Sequence, residues 1–152
     1  MTGNGNEPDT THASVGQFDD IDETILSRAT LSQLSDATGL SISAVQSRVQ
    51  KLERRNVILG YKAVIDDEKR GLAVRAYIAV TPIDYSKEAE IPAKLQDIEG
   101  IMSCDSVAGS PSYMLTVRAA SPSKLEDLLN VIHQTVPVST ETTIVLQRYF
   151  SK

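Results

Sequence analysis

The sequence predicts an α+β chain in two parts: an N-terminal helix-turn-helix unit of winged-helix-like type, then a ferredoxin-like βαββαβ domain. Two observations carry this. Residues 30–55 read as two short amphipathic helices about a single glycine, whereas residues 72–150 switch repeatedly between period-two and helical apolar spacing. Between them, residues 66–71 form a charged run without apolar periodicity, which sets the domain boundary there as a linker.

The chain has 152 residues, 41% hydrophobic and 23% charged, which fits one soluble domain of ordinary size or two small ones. Its apolar runs are only a few residues long, so no transmembrane span and no membrane partner are expected. The first residues lack the basic and apolar segments of a secretion signal. One cysteine, Cys104, excludes an internal disulfide and suits a reducing, cytoplasmic location.

Residues 1–17 are mostly Gly, Asn, Thr and Ser with one valine, which predicts a disordered tail; the lone His12 in it reads as inert rather than as a metal ligand. Phe18, Ile21 and Ile25 mark a first helix, opened by Asp19, Asp20 and Asp22 at the positive end of its dipole. Thr30 and Gln33 fit a capping box that starts the next helix, with Leu31, Leu34 and Ala37 on one face. Gly39 permits the reversal, and Ser41 caps a further helix whose stripe is Ile42, Val45, Val49 and Leu52.

The opposite face of that helix carries Ser43, Gln46, Ser47 and Gln50, with Arg48 and Lys51 at its edges. Amide side chains bond a base edge in two places, while hydroxyls and cations hold phosphates. A net charge of −5 argues against a nucleic-acid partner, but residues 41–62 hold Arg48, Lys51, Arg54, Arg55 and Lys62 against Glu53 alone. The candidate contacts to double-stranded DNA are therefore Thr30, Ser41, Ser43, Ala44, Gln46, Ser47, Arg48, Gln50, Lys51, Arg54 and Lys62. A solvated face on a small bundle is the competing reading, and the capping box, glycine turn and second helix together outweigh it.

After this helix, residues 57–65 read as a strand, with Tyr61, Ala63 and Ile65 alternating with Lys62 and Val64; it suits a wing or tether. Beyond the linker, Val74, Ala76, Ile78 and Val80 alternate as a strand, and Ile91, Leu95 and Ile98 form a helical stripe. Residues 101–108 and 113–119 read as two strands around a Gly-Ser-Pro-Ser turn. Ser121 caps and Pro122 opens a helix with Leu125, Leu128, Leu129 and Ile132 inward, and residues 140–146 return to β-branched strand residues. Such a sheet keeps both helices on one face. The other face, bearing Tyr77 and Ala79, is predicted to pair with a second copy.

The run from Ser35 to Asp66 resembles the DNA-binding module of the Lrp/AsnC, or feast/famine, transcription regulators. The resemblance rests on Gly39-Leu40-Ser41, Val45, Arg48-Val49, Leu52-Glu53, Ile58 and Gly60-Tyr61, and it continues to the C-terminus. Against that pattern the first helix is short. Only about two turns fit before Thr30, and a real deletion and residues missing near Ser27 are both open as the reason.

The resemblance implies a C-terminal RAM domain that pairs sheet to sheet into dimers, which commonly assemble into octamers. It also implies an amino acid or related effector bound between subunits near the loop joining the middle strands. The corresponding residues are Val107, Ala108, Gly109, Ser110, Pro111, Ser112 and Tyr113. Ser110 and Ser112 stand where family members commonly carry acids, so the effector's ammonium group lacks its expected partner. A plain hairpin turn fits the same residues, and both readings stay open.

An enzyme and a binding module without a DNA role are the competing functional classes. Cys104 with His133 lacks a recognisable catalytic context, and no phosphate-binding glycine loop, paired carboxylates or metal-ligand spacing occurs, so no enzyme and no cofactor are expected. A metabolite-binding module without a DNA role remains the alternative, opposed by the intact residues 41–62.

Overall fold

A computed structural model describes residues 30–151. The predicted tail, the first helix at Phe18, Ile21 and Ile25, and its short end near Ser27 lie outside these residues. The chain divides into two compact units, Met1–Ala63 and Val64–Lys152.

In the first unit, α1 spans Leu31–Thr38 and α2 spans Ile42–Arg54. Thr30 is extended, and its hydroxyl accepts the Gln33 N–H at 3.2 Å; the Ser41 hydroxyl accepts the Ala44 N–H at the same distance. Gly39 stands at φ +71°, where its N–H reaches the Ser35 carbonyl. The turn is then tied by side chains: the Ser35 hydroxyl donates to the Leu40 carbonyl at 2.6 Å, and Thr38 Oγ1 accepts the Leu40 N–H. Leu34, Val45 and Leu52 are buried, with Leu31, Leu40, Val49, Val57 and Ile58 packed around them. Ala37 and Ile42, expected on the apolar stripes, are exposed. Both flank the turn, at the last and first turns of their helices.

Helix α2 ends in a Schellman turn. Asn56 takes φ +54°, the Val57 N–H donates to the Leu52 carbonyl at 2.9 Å, and the Asn56 N–H donates to Glu53. Val57 and Leu52 supply the apolar contact that accompanies this motif. The strand predicted over residues 57–65 is absent: the segment is irregular, and Leu59, Tyr61 and Val64 are 89%, 76% and 102% exposed. Alternation alone does not make a strand, because the backbone groups need a neighbouring ladder, and the described residues of this unit hold no other strand.

The second unit runs β1 (Val74–Pro82), a 3-10 turn (Tyr85–Glu90), α3 (Ile91–Leu95), β2 (Ile101–Ser106), β3 (Tyr113–Ala119), α4 (Pro122–Thr135) and β4 (Val138–Ile144). The sheet order is β2-β3-β1-β4 with every pairing antiparallel, as expected of the ferredoxin-like arrangement. Ala76, Ile78 and Val80 face Val117, Leu115 and Tyr113 in register, and this side of the sheet meets Ile91, Leu95, Leu125, Leu128 and Ile132 in one core. Ser121 caps α4 through the Lys124 N–H. Strand β4 begins two residues before the predicted start, because Val138 already pairs with Pro82, and β2 stops at Ser106.

Residues 66–71 form a turn whose Asp67 carboxylate binds Arg118 Nε at 2.7 Å and Arg75 at 3.5 Å, on the side of the sheet away from the helices. The predicted linker is thereby tied to the second unit. The Arg118 guanidinium beside Asp67 holds its carboxyl below the usual aspartate value, with Arg75 adding to the effect.

Candidate nucleic-acid interface and effector loop

The first unit presents α2 by its polar face. Ser43, Gln46, Ser47, Gln50, Lys51 and Arg54 are exposed, whereas Ala44 and Arg48 are half-buried. Spacings of three, four and seven residues put the six exposed side chains on one side of the helix, opposite Val45 and Leu52. Lys51 and Arg54 fall in the last turn, at the negative end of the helix dipole.

The two cap residues are engaged in part. Thr30 and Ser41 each accept a backbone N–H, and Ser41 Oγ also lies 3.2 Å from Ser43 Oγ. A hydroxyl that accepts an amide proton still carries one of its own to donate to a phosphate. Lys62 is exposed but lies on the irregular segment beyond the helix, so α2 does not carry it with the others.

One contact at this surface escaped the sequence reading. The Tyr61 hydroxyl donates to Glu53 Oε1 at 2.7 Å, eight residues back along the chain. The carboxylate raises the pKa of the phenol, chiefly through that bond. The only signal in the sequence was the solitary acid in a basic stretch.

In the second unit, the loop between β2 and β3 closes as a hairpin. The Val107 N–H donates to the Ser112 carbonyl at 3.2 Å, and the Ser112 N–H donates to the Val80 carbonyl at 3.0 Å. Gly109 and Ser110 are exposed; Val107, Pro111, Ser112 and Tyr113 are half-buried. The Tyr113 ring packs against the core, and its hydroxyl donates to the Glu88 carbonyl at 3.1 Å. Within one chain, therefore, Tyr113 lies on the helix-covered side of the sheet. Two cavities lie away from this loop. One of about 280 Å³ is lined in part by Asp66, Glu68, Arg75 and Arg148, and one of about 460 Å³ lies between α3 and β2.

The uncovered sheet side is more polar than simple alternation suggests. Tyr77 sits between Thr116 and Thr143, and Ala79 between Met114 and Glu141. Tyr77 is 36% exposed and Ala79 half-buried.

Cys104 and His133 are occupied by structural contacts. Burial, and then Asp105, push the Cys104 thiol up, which reduces its thiolate fraction. His133 Nε2 lies 2.9 Å from Thr140 Oγ1. Among the described residues there is no group of three or more His, Cys, Asp or Glu placed to hold a metal ion, and no helix long and apolar enough to cross a membrane.

A capped helix-turn-helix followed by a ferredoxin-like domain is the plan of a transcriptional regulator with separate DNA-binding and ligand-binding parts. Comparison with known proteins gives the same division: residues 75–152 match the Lrp/AsnC ligand binding domain, and residues 19–58 match a winged helix-turn-helix DNA-binding domain. The chain is 48% identical over 140 residues to the HTH-type transcriptional regulator LrpA of Mycobacterium tuberculosis, covering 88% of this chain and 93% of that protein. Among solved structures it is similar to a feast or famine regulatory protein of M. tuberculosis complexed with L-methionine. There the TM-score is 0.81 at 48% identity, over 88% of this chain and 95% of the other. E. coli AsnC shares the fold, with a TM-score of 0.79 at 24% identity over 89% and 96% of the two chains. The chain belongs to the Lrp/AsnC family of transcriptional regulators.

Proposed function

We propose that the protein works as a homodimer, assembling further toward an octamer, in which each α2 reads one DNA half-site. Gln46, Ser47 and Gln50, with Ser43, contact base edges. Arg48, Lys51, Arg54 and Lys62 hold phosphates, helped by Thr30, Ser41 and the close approach allowed at Ala44. The observation that carries this reading is the row of six exposed polar and basic side chains on one side of α2. Two linked half-sites raise affinity through effective concentration, so a small change in assembly has a large effect on binding.

The effector is an amino acid or close relative, bound at a subunit interface by the residues from Val107 to Tyr113. The methionine complex of a protein 48% identical to this chain favours that class of ligand. Ser110 and Ser112 offer hydroxyls in place of carboxylates, so the ammonium group meets hydroxyl and carbonyl oxygens and binding is weak. The dimer forms through the sheet side bearing Tyr77 and Ala79.

A gel shift against the DNA upstream of the protein's own coding region tests the reading. A shifted band that changes mobility with millimolar amino acid supports both halves. No shift, together with amino-acid binding in solution, favours a metabolite-binding module without its own DNA role.

A further inference from the structure

Glu53 is the one acid among the basic residues from Ser41 to Lys62, and its position on α2 is unfavourable for a DNA-binding surface. It lies three residues beyond Gln50 and seven beyond Gln46, so its carboxylate borders the row assigned to base edges. Left free, a carboxylate there repels phosphate oxygens and competes for the Gln50 amide. The chain does not leave it free. After the Schellman turn at Asn56, bonds from the Val57 and Ile58 N–H groups to the Leu52 carbonyl double the chain back. Tyr61 is then placed to donate its hydroxyl to Glu53 Oε1 at 2.7 Å. The Tyr61 side chain buries little, since the residue is 76% exposed, so packing does not explain the contact.

We propose that Tyr61 is a positioning residue for the DNA interface, its hydroxyl holding the Glu53 carboxylate at the flank of α2, out of the Gln46 and Gln50 row and away from incoming phosphates. This rests on the assignment of the α2 face to DNA. The bond also joins the irregular segment to the recognition helix, so the exit of the chain from α2 and the charge presented to DNA are set by one contact.

The test is equilibrium binding of the full chain to a duplex recovered by random-site selection, with Tyr61→Phe, Glu53→Gln and the double variant. Tyr61→Phe keeps the ring and removes only the hydroxyl. It should weaken binding about two- to fivefold, the scale of an exposed charge interaction, and the loss should shrink as salt is raised. In the Glu53→Gln background the same substitution should have no effect, because the charge it restrains is gone. Equal losses in both backgrounds, or a Tyr61→Phe affinity equal to wild type, would overturn the proposal. Lys51→Ala is the control: if it too leaves affinity unchanged, the assignment of the α2 face fails, and this proposal with it.

Discussion

Gly100 and Arg118 meet backbone to backbone. The Arg118 N–H donates to the Gly100 carbonyl at 2.8 Å, and the Arg118 carbonyl lies 2.9 Å from where a Cβ on Gly100 would stand. Gly100 also takes φ +94°, a conformation that side chains disfavour. The contact fixes the entry to β2 against β3, and Arg118 then reaches Asp67, 51 residues earlier in the chain.

Substituting Gly100→Ala should therefore destabilise the second unit by about 1–3 kcal/mol, through backbone strain and the clash with the Arg118 carbonyl on β3. Thermal unfolding of the variant measures it. A melting temperature equal to wild type would mean that the β2 entry relaxes freely.

The Asp67 pair should make stability depend on pH with a definite sign. Its carboxyl is held below the ordinary value, chiefly by the bond from Arg118, so the folded chain binds fewer protons there than the unfolded chain. The stabilisation is fully present above the ordinary aspartate range, about pH 4, and is lost as pH falls through the lower folded value. Asp67→Asn should thus melt below wild type at neutral pH, with the gap closing in acid. A gap that stays constant down to pH 3 would rule out this origin.

Much of the fold was legible because its signals are local. Thr30, Ser41 and Ser121 each cap the helix that follows, and β1 and β3 fall where alternation placed them. What escaped depends on partners distant in sequence. Residues 57–65 alternate without a ladder, the Asp67 to Arg118 bridge spans the whole βαββ portion, and the requirement for glycine at Gly100 comes from a carbonyl on β3. The α2 face was readable from periodicity, whereas the Tyr61 to Glu53 bond needed the geometry of the Asn56 turn.

At the DNA surface, two kinds of substitution should separate two roles. Lys51→Ala should flatten the log–log salt dependence of binding by about 0.9, the share of one phosphate. Gln46→Ala should keep that slope but relax base preference by about 1–3 kcal/mol at one position. Titration over a salt series reads the first and random-site selection the second. An unchanged slope for Lys51→Ala, or an unchanged motif for Gln46→Ala, would remove that residue from its role.

Ala79→Asp tests the sheet as a dimer face. Ala79 sits beside Glu141 in the β1 and β4 register, so the new carboxylate adds like-charge repulsion within each chain and unpaired buried charge between two. A dimer formed through this face should dissociate at micromolar concentration, which analytical ultracentrifugation reads. An unaltered mass would place the contact elsewhere.

The loop between β2 and β3 carries the sharpest conflict between family pattern and local chemistry. Ser112 is held at both backbone ends, by Val107 and Val80, and the Tyr113 hydroxyl is committed to Glu88, so these groups are fixed in place before any ligand arrives. Gly109 and Ser110 are exposed, and a Cβ on Gly109 would meet only Pro111 Cδ, at 3.9 Å. Gly109 takes φ +158°, a conformation that side chains rarely adopt, so Gly109→Val should strain the loop itself while the pairing of β2 with β3 holds the sheet, and it should fill the space through which a ligand approaches the backbone. Isothermal titration with the twenty amino acids should show weak binding, with dissociation constants on the order of millimolar (about −4 kcal/mol), that Gly109→Val abolishes. Ser110→Asp should strengthen it by restoring a partner for the ammonium group. If no amino acid gives heat or alters the assembly state at millimolar concentration, and Ser110→Asp changes nothing, the loop is a structural turn and regulation comes from another surface.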